Sequence, residues 1–305
     1  MSVLFDAPGP RARRRTLIVS IVVGALLAAV VVALVLALAA PRVTAAGAEQ
    51  PGIFDPSRWD VFRDAAVWRR FGGALGNTLA MAGVAAVLAI VIGVLFSFFR
   101  TARSRWVRVP SSVVLEFLRG MPVLLMMLFI LLVFATGAYW AGVAALGLYN
   151  GALIGEILRS GIAALPRGQR EAGLTIGLTP LRTRFLIEFP QAARNMLPII
   201  IAQLVVLLKD TALAYVIAYP ELLQSVRQLS NFFGNRYFFS FYLVVLAIYL
   251  VLNLTLSWIA RIVARRTGPG AGRPRVPRLG VHPEGDVDLS RVADAGMGSG
   301  GVGAR

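Results

Sequence analysis

Few residues in this chain could perform covalent chemistry. Cysteine is absent and the one histidine, His282, lies in a Gly/Pro-rich stretch near the C-terminus. A thiol nucleophile, a disulfide framework and a thiolate-held metal are thereby excluded, and a histidine-based catalytic or metal centre has nothing to build on. No cluster of carboxylates stands out, and no G-x-x-x-x-G-K-[ST] phosphate loop occurs anywhere, so the chain is not itself a P-loop ATPase. The ionisable residues that remain conspicuous are those embedded in apolar sequence. Lys209 and Asp210, followed by Thr211, interrupt one such run. If that run crosses a bilayer, these charges are costly and face a bundle interior or a pathway. Neighbours on a helix point about 100° apart, so Lys209 and Asp210 are poor partners for each other. They serve either as glue to other helices or as contacts for a solute. Glu156 and Arg159, and likewise Glu116 and Arg119, stand at i, i+3 and can satisfy each other locally. Glu156, nearer the apolar interior, is also the acid best placed to meet a solute's ammonium group.

The elements that must position these residues are spanning helices. At 305 residues and 57% hydrophobic, with a mean hydropathy of +0.73, the chain is more apolar than a soluble globule, whose apolar share is about 45–50%. The formal charge of +16 comes from 31 basic against 15 acidic residues, all the basic ones but Lys209 being arginine. Much of that arginine sits in short loops beside apolar runs, which points to orientation in a membrane and not to nucleic acid. Residues 16–41 carry no charge, enough for a span of about 20 residues. The run exceeds the roughly 7–15 residues of a signal-peptide core, so an uncleaved anchor is expected despite the small residues at 43–48. Residues 1–70 thus form an N-terminal tail, an anchor and an extracellular linker. Within the linker Trp59, Phe62, Ala66, Trp68 and Phe71 predict an interfacial helix. Further spans are expected at 75–99, at 110–134, in a fourth segment ending near Glu156 and Arg159, and at 195–218 and 238–262. Residues 267–305 read as a disordered cytoplasmic tail. The fold class is an all-α membrane protein with six transmembrane helices. Arginine clusters at 11–15, 100–108, 159–194 and 261–266 place both termini in the cytoplasm. The linker at 42–70, the turn at Gly137 and a sparse loop at 219–236 then lie outside.

One cytoplasmic stretch, residues 170–198, is a polar interruption between spans. Glu171 to Gly177 reads as a short helix ended by glycine in the left-handed cap. Thr179-Pro180 gives a capped helix start, and Pro190 does the same for the segment returning to the membrane. Glu171-Ala172-Gly173, then Gly177, then Ile187-Glu188-Phe189-Pro190 resembles the EAA signature of the membrane subunits of bacterial ABC importers. Both spacings of that signature hold, with Gly173 replacing the second alanine and Phe189 the leucine. Asn77-Thr78-Leu79, residues 116–122, residues 151–159 and residues 207–214 are similar to the polar-amino-acid branch of that family. The basic tail and extra first span look most like actinobacterial glutamate-uptake permeases. One departure is Met121 and Met126, where the branch often has polar residues; a thioether lining is softer and less directional.

The resemblance implies a five-helix type I ABC importer core over 71–266, with one extra N-terminal span and with coupling helices in the loop 165–198. It implies a permease subunit and no enzyme, importing glutamate or a related polar amino acid across a bacterial plasma membrane. A separate cytoplasmic ABC ATPase dimer, carrying ATP and Mg, would dock through Glu171, Ala172, Gly173, Gly177 and Pro190. A second permease subunit, whether a related chain or a second copy, and a lipid-anchored or periplasmic solute-binding protein are implied as well. The substrate pathway would include Glu156, Lys209, Asp210, Thr211, Asn77 and Thr78. No metal or resident cofactor is expected, and membrane lipid surrounds the chain. The alternatives are an ABC permease for another polar solute or a secondary transporter. Against the latter, neither inverted repeats nor interrupted apolar segments in matched halves are visible.

Overall fold

The computed structural model describes residues 9–43, 47, 49–102 and 104–267. The tail at 268–305, with His282, lies outside the described residues, as do residues 44–46 and 48. Among the described residues, five helices are long and apolar enough to cross a membrane, or six if one bent pair counts as a single span. The chain is thus a multi-pass helical membrane protein.

Helix α1 (Pro10–Ala39) begins on a proline at its first turn and buries none of its side chains. Its end is closed by the linker: the Ile53 N–H donates to the Leu38 carbonyl at 2.9 Å. A small hairpin of β1 (Arg42–Val43) and β2 (Glu49–Gln50) leads into the linker. The helix expected around Trp59 to Phe71 is instead two 3-10 turns, Pro56–Arg58 and Asp60–Arg63. Helix α2 (Ala65–Phe99) then starts at once, capped by the Asp64 carboxylate on the Ala66 N–H at 2.8 Å. Trp68 and Phe71 therefore belong to the first turns of a span. The Asp55 and Asp64 caps cut the sequence into short pieces before a longer interfacial helix can propagate.

The expected third span is broken. Helix α3 (Arg105–Gly120) and helix α4 (Val123–Phe134) meet at 104°. The cause is local: Pro122 excludes the α conformation at the preceding residue, and Met121 adopts φ −84, ψ 129. Twelve residues make α4 about 18 Å long, short of the roughly 30 Å of a hydrocarbon core. Met126 and Met127 are buried in the bundle core, so that stretch of methionines is packing.

Helix α5 (Ala138–Ala163) packs on α2 through small residues. A Cβ added at Gly147 would sit 2.6 Å from Leu88, at Gly151 2.7 Å from Ile92, and at Gly93 2.6 Å from Ile154. Backbones approach this closely only along a stripe of small residues, the usual basis of helix association in lipid. Next come α6 (Arg167–Thr175), α7 (Pro180–Thr183), a π turn (Arg184–Glu188) and α8 (Phe189–Asp210), which tightens to a 3-10 turn over Thr211–Tyr215. Pro190 stands in the first turn of α8, as the sequence suggested, although the π turn leads into it without a break, so that Pro180–Tyr215 runs as one helical rod. Proline lacks an N–H and its ring crowds the carbonyl four residues back, and the π turn just before it accommodates both. Where a sparse loop was expected, residues 222–233 form a helix, α9 (Leu222–Phe233), which buries Leu222, Val226 and Leu229. Helix α10 (Phe238–Thr267) closes the bundle. A second core gathers Val61, Phe71, Leu222, Val226 and Phe241, joining the linker to α2, α9 and α10.

Candidate functional site

The stretch between α5 and α8 is a closed elbow. At the end of α6 the Gly177 N–H donates to the Leu174 carbonyl at 3.0 Å and the Leu178 N–H to the Gly173 carbonyl at 3.1 Å. This is the paired bonding of a Schellman cap, with Gly177 at φ +83. Two residues on, the Thr179 hydroxyl accepts from the Arg182 N–H at 3.3 Å and starts α7. The α6 and α7 arms fold together at Gly173, which is buried. A Cβ there would lie 2.5 Å from Thr183 Cγ2 and 2.9 Å from Ile187 Cδ1. Thr183 is itself fully buried, its hydroxyl donating to the Thr179 carbonyl at 3.1 Å. Glycine in place of the EAA alanine thus makes room for a β-branched residue on the facing arm. Glu171 and Ala172 are exposed, as are Leu174 and Ile176 (73%) at the cap of α6. Large apolar side chains held in the open on a polar element mark a surface for a partner.

The elbow is tied to the end of α2. Arg184 donates to the Thr101 carbonyl and pairs with Glu188 at 3.6 Å. The Phe185 ring stacks on Phe98 at 3.9 Å between centroids, and Phe189 packs on the same ring at 5.0 Å.

One turn away lies an ion network. Glu156 accepts from Arg159 at 2.6 and 3.0 Å and also from Arg100. Glu116 lies 3.5 Å from Arg119 and 3.7 Å from Arg100, whose Nε donates to Ser112 at 3.2 Å. The two local pairs anticipated at i, i+3 are present, and Arg100 joins them, so that α2, α3 and α5 share one network. Glu156 has both oxygens taken up by guanidinium groups of its own chain.

Asn77 and Thr78 stand elsewhere, in a polar knot that holds α9. The Asn77 amide donates to the Pro220 carbonyl at 2.9 Å, and the Tyr219 hydroxyl donates to the Asn77 carbonyl at 3.2 Å. The Thr78 hydroxyl accepts from the Leu222 N–H at 3.2 Å. Beside it Glu221, fully buried, caps α9 by accepting from the Leu223 and Gln224 N–H groups at 2.7 and 2.6 Å, and from the Tyr249 hydroxyl at 3.0 Å. Tyr249 also meets the hydroxyls of Thr78 and Thr211. Burial pushes the Glu221 carboxyl above its ordinary range, while the two backbone N–H groups and Tyr249 pull the other way. Glu221 is the residue that sequence reasoning missed. Its signal was Pro220-Glu221 ahead of Leu222, Val226 and Leu229, an acidic start to an amphipathic helix. A second missed pair, Asn150 and Gln203, bonds across α5 and α8 at 2.8 Å. Lys209 lines a cavity of about 450 Å³ against Tyr242, Asn253 and Ser257 of α10; Asp210 is half-buried and does not line it.

A multi-pass helical bundle, its charges gathered at helix ends and a capped elbow exposed between two spans, is a membrane transport component. The chain belongs to the family described as the binding-protein-dependent transport system inner membrane component, matched over residues 85–269. It is a transport subunit and not an enzyme. It is 35% identical over 254 residues to the glutamate transport system permease protein GluD of Corynebacterium glutamicum, covering 78% of this chain and 92% of that protein. It is 33% identical to the probable glutamine ABC transporter permease protein GlnP of Bacillus subtilis, covering 60% and 87%. Its fold matches a crystal structure of an amino acid ABC transporter with histidines at a TM-score of 0.60 and 29% identity, covering 65% of this chain and 94% of that one.

Proposed function

We propose that this chain is the permease subunit of an ATP-driven importer of glutamate or a related polar amino acid in a bacterial plasma membrane. Its N- and C-termini face the cytoplasm. A separate ABC ATPase dimer, which binds ATP and Mg, docks on the elbow, and a second permease subunit completes the membrane pair. An extracellular solute-binding protein delivers the amino acid. The observation that carries this reading is the elbow: Glu171 and Ala172 are exposed on an arm whose turn is locked by Gly177 and whose fold depends on Gly173. The choice of glutamate is supported by the likeness to GluD along nearly all of that protein's length.

The solute's path follows α8. Lys209 is assigned to direct contact because it lines a cavity large enough for an amino acid, and Asp210 is assigned to the path as its neighbour at the end of α8. Thr211, Glu156, Asn77 and Thr78 position the path, since their polar atoms are engaged within the chain. Pro190 belongs to the coupling rod that carries the elbow's movement into α8. The test is co-purification from the native membrane with a tag on this chain. The ATPase, a permease partner and a binding protein are expected together. A chain that purifies without an ATPase under conditions that keep the bundle folded refutes the proposal.

A further inference from the structure

Between the end of α2 and the elbow lies a cavity of about 460 Å³. Its apolar wall is Phe98, Phe99, Leu181 and Phe185, and its basic wall is Arg170 of α6 and Arg184 of the π turn. Among the described residues no carboxylate lines it. Arg184 is held in place by the Thr101 carbonyl and by Glu188, which is buried behind it. Arg170 is exposed. Phe98 and Phe99 are the last apolar residues of a spanning helix, and Arg100 follows directly. The cavity therefore opens at the depth where hydrocarbon gives way to headgroups.

We infer that this cavity is a binding site for an anionic phospholipid, its phosphate held by Arg170 and Arg184 and one acyl chain lying along Phe98, Phe99 and Leu181. Three observations converge. Two guanidinium groups suit a phosphate, the donor geometry for which arginine is favoured over lysine. The aromatic floor continues the apolar surface of the span and offers a chain the same environment as the bilayer. A basic pocket between helices at the charged membrane surface is the setting in which anionic headgroups are captured. A peptide partner fits less well, because the floor is made by the span itself, whereas the apolar groups open to a protein are Leu174 and Ile176 at the cap of α6. Seated there, the lipid would brace the elbow against α2, since it touches the same Phe98 and Phe185 rings that stack across the joint.

This inference rests on the cytoplasmic placement proposed above. The whole transporter complex is reconstituted in nanodiscs of phosphatidylcholine alone or with added phosphatidylglycerol. Bound lipid is counted by native mass spectrometry, and ATP turnover is measured in parallel. Phosphatidylglycerol is expected to stay bound to the wild type and to raise turnover. Arg170→Ala is expected to weaken its retention about five-fold, the effect of removing one arginine at a membrane surface. Phe99→Asn is expected to weaken retention as well, while Arg167→Ala, on the same helix but outside the cavity, leaves it unchanged. Equal retention in Arg170→Ala and wild type overturns the site. Full stimulation by inorganic phosphate in phosphatidylcholine also overturns it, since a soluble anion would then suffice. Loss of the ATPase subunit from Arg170→Ala would make the cavity part of the protein interface and refute the lipid assignment while leaving the docking proposal standing.

Discussion

At Gly173 the protein departs from the EAA signature, and the departure is matched on the facing arm by Thr183. A methyl group at 173 has 2.5 Å to Thr183 Cγ2, and Thr183 cannot swing away without giving up its bond to Thr179. Gly173→Ala should therefore cost about 1–3 kcal/mol of local packing and reduce recovery of the ATPase on purification. Adding Thr183→Ser, which removes the blocking methyl and keeps the hydroxyl, should restore it. If Gly173→Ala alone retains the ATPase fully, the paired fit is wrong. Glu221 yields a different test. Its carboxyl is raised by burial, so the folded state holds the protonated form better than the unfolded chain does. Its contribution to stability is then full at pH values below the ordinary carboxylate range and is lost as pH rises through the raised value. Thermal unfolding in detergent should show the wild type losing stability relative to Glu221→Gln as pH rises across that window. A difference that stays flat with pH would contradict this reading of Glu221.

At the scale of elements, the proposed docking role requires an elbow that is rigid and firmly joined to a span. Gly177→Asp places a side chain at φ +83, where a non-glycine residue costs about 1–2 kcal/mol, and puts a charge on the cap. The chain should still insert in the membrane but lose its ATPase; normal transport by this variant would remove the docking role. Phe98→Ala should leave the ATPase bound while lowering transport per ATP, because the stack with Phe185 and Phe189 is the joint between elbow and α2. Unchanged transport per ATP would show that force passes another way. The elbow was legible in the sequence because its caps are local: glycine, threonine and proline act within four residues. The spans were legible because apolar runs are. Three features were not. The π turn was hidden because a proline in the first turn of a helix does not tell whether helix already precedes it. Helix α9 was hidden because its apolar face is interleaved with Arg227 and several amides. The role of Arg100 was hidden because a charge at a helix end reads as a topology signal until α3 and α5 bring Glu116 and Glu156 to it.

At the scale of the whole molecule, two polar assemblies hold α2 at separate points along its length. The knot of Asn77, Thr78, Glu221 and Tyr249 fixes its first half to α9 and α10, and the network of Arg100, Glu116 and Glu156 fixes its last turn to α3 and α5. Between them α2 and α5 pack closely, Gly147 against Leu88, Gly151 against Ile92 and Gly93 against Ile154. Under the proposed function these helices would move as one body with the elbow, and the gap for a solute would open along α8 and α10, where Lys209 lines its cavity. The most direct measurement of this account is uptake of labelled glutamate into vesicles holding the reconstituted complex, with ATP supplied on the ATPase side and no ion gradient. Uptake is expected to require ATP and the binding protein and to disappear in Gly177→Asp although the chain remains in the membrane. Uptake driven by a proton or sodium gradient without ATP would contradict it.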